Sequence, residues 1–126
     1  MMQQINIKPV GINEQYTEVI RYVITNGKRV PIIKRILTKK GREFKEKSCY
    51  FIKKCYLPES NSIKIILHFG FSNRGQDVDG PIKSCVDVLQ HQMNFNDNIV
   101  TELEVKKFIV AKGSEYWSYE LINLEV

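Results

Sequence analysis

Residues 62–69 read Ser-Ile-Lys-Ile-Ile-Leu-His-Phe, the clearest β-strand pattern in the chain, and a helical pattern lies on each side of it. On the N-terminal side, residues 38–56 place Phe44, Phe51, Ile52 and Cys55 on one stripe, with Lys45, Lys47, Lys53 and Lys54 largely on other faces. On the C-terminal side, residues 80–91 direct Ile82, Val86, Leu89 and also Cys85 toward a core. This alternation of periods excludes an all-helical or all-strand fold. Shorter strands are expected at 4–8, 19–24 and 29–37, with Asn26-Gly27 as a hairpin turn and Pro31 marking an edge. Two final strands, 103–110 and 116–124, join at residues 111–114. The expected class is α+β, a single domain over residues 1–126, with a mostly antiparallel or mixed sheet and two main helices.

At 126 residues one core is feasible but small, so self-association would add stability. No apolar run approaches the ~20 residues needed to span a bilayer. The N-terminal segment alternates and has no apolar core of a signal peptide, so the expected location is the cytoplasm. Cys49, Cys55 and Cys85 are odd in number and lack zinc-ligand spacing, so they are expected to act as small buried apolar groups. His68, in a strand, and His91, at a helix C-terminus, are read as structural.

Charge is distributed unevenly. Residues 27–54 carry eleven Lys/Arg against Glu43 and Glu46, a net +9, which leaves −4 for the rest of a chain whose total is +5. A basic half suits a polyanionic partner, and it equally suits a solvated lysine-rich surface. Charge alone does not separate the two.

The acids are sorted by type. Of fourteen, only Asp77, Asp79, Asp87 and Asp97 are aspartates, and all fall in one 21-residue window. Aspartate loses less rotamer freedom than glutamate when it holds a ligand. If Asp77-Val78-Asp79 is extended, both carboxylates point the same way. Asp97 follows the same helix and could join them if the next strand returns beside residues 62–69. Carboxylate oxygens of this kind suit Mg²⁺, with Mn²⁺ able to substitute. The alternative is an Asp that caps the helix. Lys83 stands four residues after Asp79, placed for a phosphate or for an ordinary ion pair. Asp87, four further on, could anchor Lys83 or approach the metal, and a place outside the metal shell is the expected one.

The run from Asn73 through Arg74, Asp77, Asp79, Lys83 and Asp87 to Asp97 resembles the RusA-type Holliday junction resolvases of phages and prophages. Those enzymes carry a basic loop, D-x-D-N, a Lys four residues later, an Asp four beyond it, and a D-D pair after the helix. Here Gly80 replaces the Asn and Asn96 the first Asp of the pair, with about one residue deleted before Asp97. Upstream, Pro9 to Tyr16 is similar to an early P-x-x-x-N turn, and Gly41-Arg42-Glu43-Phe44 to the motif that opens the first long helix. The resemblance implies a homodimer that resolves four-way DNA junctions by paired symmetric nicks, in recombination and repair. It implies that Asp77, Asp79 and Asp97 bind Mg²⁺, that Lys83 assists catalysis, and that Arg74 contacts phosphate. Lys39, Lys40 and Arg42, in the basic half, would then lie along the DNA. Phe71 or Tyr16 would either wedge into the junction or belong to the core. Two other functions fit the same residues: an inactive DNA- or protein-binding module, and a Mg²⁺ nuclease acting on other branched DNA.

Overall fold

A computed structural model describes residues 2–11, 14, 16–57 and 59–125. Asn13, part of the early turn motif, and Pro58, after the first helix, lie outside the described residues. The elements run β1 (Gln3–Ile5), β2 (Tyr16–Thr25), β3 (Lys28–Leu37), α1 (Lys39–Phe51), β4 (Ile63–Phe71), α2 (Ile82–Met93), a 3-10 turn (Asp97–Ile99), β5 (Val100–Ile109) and β6 (Tyr116–Asn123). The mixed α+β character expected from the periodicity is what forms.

Four strands make one sheet in the order β1-β6-β4-β5. β4 is central, antiparallel to β6 and parallel to β5. A parallel neighbour requires a crossover, and α2 supplies it. The last two strands therefore do not pair with each other, because β4 lies between them.

Alternation along β4 decides the core. Ile63, Ile65, Leu67, Phe69 and Phe71 are buried on one face, where they meet Phe44 and Ile52 of α1 with its flanking residue, and Cys85, Val88, Leu89 and Met93 of α2. Trp117, opposite Phe69 on β6, and Ile5, opposite Trp117 on β1, complete that layer. Phe71 thus belongs to the core.

Local chemistry sets the ends of the elements. The Thr38 hydroxyl accepts from the Gly41 N–H and caps α1. The helix stops at Phe51, earlier than its apolar stripe suggested. Buried Gln92 closes that end, since its amide donates to the Cys49 and Ile52 carbonyls at 3.0 and 2.6 Å. Cys55 consequently falls beyond the helix and is exposed, contrary to its expected burial, while Cys85 is buried. Burial pushes the Cys85 thiol well above its ordinary range.

Asn26 and Gly27 both have positive φ, 52° and 76°, which is the geometry of a type I′ turn joining β2 to β3. The ten-residue strands of this hairpin pair in full register from Tyr16–Leu37 to Thr25–Lys28. They form a sheet of their own, and most of their residues are exposed.

The face of β4 away from the helices carries Lys64, Ile66 and His68, and then Gly70. A Cβ on Gly70 would collide with the Tyr116 ring. Gly70→Ala is expected to lower stability by about 1–3 kcal/mol, the cost of overpacking. Urea denaturation would show this as a reduced midpoint with an unchanged slope. On the same face His68 meets the edge of Phe108 with ring centroids 5.3 Å apart. Among the described residues, no helix is long and apolar enough to cross a membrane.

Candidate active site

Asp77 and Asp79 lie in the connection that leaves the C-terminal end of β4. The segment is a turn and is not extended: the Gly80 N–H donates to the Asp77 carbonyl at 3.2 Å, and the Ile82 N–H to the Asp79 carbonyl at 3.3 Å. The period-two argument for convergent side chains therefore does not apply. What keeps Asp77 and Asp79 near each other is that one tight turn carries both.

Neither acid caps the helix. The N-cap of α2 is Pro81, and it makes no side-chain cap bond. Both aspartates are exposed, and among the described residues neither carboxylate has a hydrogen-bond or ion-pair partner. Both are therefore free to meet a ligand from solvent.

The turn is nevertheless fixed in place. Lys107, on β5, donates to the Arg74 and Gln76 carbonyls at 3.2 and 2.7 Å. Asn73 accepts from the Gly75 N–H through its side chain. At the start of α2, the buried Ser84 hydroxyl donates to the Val10 carbonyl at 2.6 Å and packs the N-terminal segment against the same corner. Nothing in the local pattern around Lys107 announced this role, because it depends on β5 lying parallel beside β4. The strand–helix–strand order was the available signal.

Lys83 pairs with Asp87 at 3.8 Å, one turn along α2. The Tyr16 hydroxyl donates to the same Asp87 oxygen at 3.4 Å. Burial, and then the neighbouring Asp87 carboxylate, raises the Tyr16 phenol above its ordinary value, so it remains a donor at neutral pH. The Arg35 guanidinium lies 4.8 Å from the centre of the Tyr16 ring. The root of the hairpin is thereby fastened to the helix that carries Lys83.

Asp97 lies elsewhere. It precedes Val100, which pairs with Ile63 at the beginning of β4, whereas Asp77 and Asp79 follow Phe71 at its end. Eight strand steps separate those ends by about 26 Å. The expectation that Asp97 joins the other two is not met within one chain, because a parallel β5 begins where β4 begins. Among the described residues there is no group of three His, Cys, Asp or Glu side chains placed to hold a metal. Mg²⁺ commonly takes one or two carboxylates and keeps several waters, so the donor chemistry of Asp77 and Asp79 alone fits such an ion. A three-carboxylate cage from one chain does not fit. Asn96, where the resemblance has an acid, caps the 3-10 turn by accepting from the Asn98 N–H.

Lys39, Lys40 and Arg42 occupy the first turn of α1, which contains no acid. Cations there oppose the helix dipole. Lys39 reaches Glu43 at 4.0 Å and Lys40 reaches Glu14 at 3.6 Å, and both lysine side chains are mostly exposed. Such surface pairs contribute little. Arg42 donates to the Leu37 carbonyl at 3.0 Å.

No protein-family model matches the chain, and no curated protein matches it in a sequence search. The resemblance to the RusA type rests on the residues quoted for it.

Proposed function

We propose that the chain is a Mg²⁺-dependent, structure-selective endonuclease that cuts branched DNA, with four-way junctions as its substrate and a homodimer as its working form. The observation that carries this reading is the pair of exposed carboxylates of Asp77 and Asp79, without a partner among the described residues, in a braced turn between Arg74 and Lys83. Asp77 and Asp79 would hold the ion, which when bound stabilises charge on a phosphodiester and acidifies its own water. Lys83, steadied by Asp87, would meet the scissile phosphate. Arg74 would hold a neighbouring phosphate. Asp97 could take part only from a second copy, and two opposed strands call for two related sites in any case.

The separation of Asp97 from the Asp pair favours a second reading, a DNA-binding module that does not cut. Cleavage of a labelled four-way junction and of linear duplex, in Mg²⁺ and in EDTA, separates them. Symmetric nicks on the junction in Mg²⁺ alone support the nuclease. Tight binding without nicks in Mg²⁺ or Mn²⁺ supports the module.

On either reading, the first turn of α1 supplies phosphate contacts. Reversing charge at Lys39, Lys40 and Arg42 is expected to flatten the plot of log binding constant against log salt by about 0.9 for each phosphate that is no longer neutralised. An unchanged slope would return that turn to bare surface.

A further inference from the structure

The C-terminal half of α1 and the segment after it carry three aromatic side chains in seven residues, Tyr50, Phe51 and Tyr56, and they are 83%, 65% and 83% exposed. Single exposed apolar residues are common, but a cluster of this kind marks a binding surface. Tyr50 and Phe51 meet edge to face with centroids 5.3 Å apart, leaving open ring surface. Lys47 lies one turn earlier on the same side of the helix. Lys53 and Lys54 lie between Phe51 and Tyr56.

Two concavities lie along this segment, and its backbone is held in place. Phe51, Lys53 and Cys55 line one concavity with Leu57, Met93 and Tyr119, while Lys54, Cys55 and Tyr56 line a second with His91 and Asn94. Cys55 is common to both. Its N–H donates to the Gln92 carbonyl at 3.0 Å, and the Gln92 amide holds the end of α1. The rings are therefore presented on a frame pinned to α2.

We propose that Tyr50, Phe51 and Tyr56, together with Lys47, Lys53 and Lys54, form a binding site for the unpaired nucleotides of a DNA single strand. Aromatic rings interleaved with lysines match the two things such a strand offers, base faces to stack and phosphates to neutralise. The site does not involve Asp77 or Asp79, so it stands or falls separately from the nuclease reading.

The test is fluorescence anisotropy of the full chain with labelled oligothymidylate, beside a duplex of equal length. Wild type is expected to bind the single strand. Tyr50→Ala with Tyr56→Ala should weaken that binding about tenfold or more, with duplex binding and the thermal melt unchanged. Tyr50→Phe with Tyr56→Phe should bind as wild type, since stacking needs the rings and not the hydroxyls. Lys53→Gln with Lys54→Gln should flatten the salt dependence by about 0.7 per phosphate released. The proposal is overturned if wild type does not bind the single strand, or if the double alanine variant binds it as well as wild type. It is also overturned if the phenylalanine variant is as weak as the alanine one. A double alanine variant that changes oligomeric state in light scattering, with strand binding intact, would make the patch a protein interface.

Discussion

Asp79→Asn is expected to abolish metal-dependent cleavage of a four-way junction while leaving junction binding intact or tighter. The loss should be on the order of 10³ in rate, the scale of removing one preorganised electrostatic group from a catalytic site. Binding should not suffer, because the substitution removes a negative charge that would face phosphate. The fold should not suffer either, since the Asp79 carboxylate is exposed, caps nothing and has no partner among the described residues. Single-turnover cleavage in Mg²⁺, beside a gel-shift titration in EDTA, reads both quantities. If the variant cuts as fast as wild type, Asp79 is not in the site and the nuclease reading loses its main support.

Lys83→Ala is expected to slow cleavage on the order of 10²-fold with little change in stability. The geometry separates the two effects. The Lys83 side chain is about half exposed and its ion pair with Asp87, at 3.8 Å, spans a single helical turn. Such a pair contributes a few tenths of a kcal/mol at most. The melting temperature should therefore hardly move. A variant with an unchanged cleavage rate at saturating protein but weaker binding would make Lys83 a phosphate anchor. Tyr16→Phe is a useful companion, because it removes the Tyr16 hydroxyl from Asp87 and leaves the Lys83 charge in place.

The two substitutions probe different levels of organisation. Asp79 belongs to a turn whose position is held by Lys107 from β5 and by Ser84 at the start of α2. Lys83 belongs to a helix that is also tied to the hairpin through Asp87 and Tyr16.

Short-range chemistry made much of the molecule legible in the sequence. The alternation of residues 62–69 marked β4, and its odd positions are the buried ones because a strand turns successive side chains to opposite faces. Asn26-Gly27 marked a turn because those residues tolerate positive φ. Thr38 marked the start of α1 because its hydroxyl can satisfy a free N–H. The aspartate window was visible as a pattern, but its members part in the fold: Asp77 and Asp79 share a turn, Asp87 pairs with Lys83 and Tyr16, and Asp97 lies at the other end of the sheet. Each of these signals acts over a few residues, and a few residues are enough to read it.

Strand order, strand direction and the partners of exposed side chains were decided only by the tertiary structure. Local periodicity gives β5 and β6 as strands but does not say which one β4 accepts on each edge. The α2 crossover made β5 parallel to β4, and that choice carried Asp97 to the far end of the sheet and brought Lys107 up to the Asp77 turn. Helix and strand propensity could not show that the hairpin stands as a separate sheet, or that α1 stops at Phe51 because Gln92 reaches its last carbonyls. These arrangements depend on residues tens of positions apart. They form only when the whole core closes around β4.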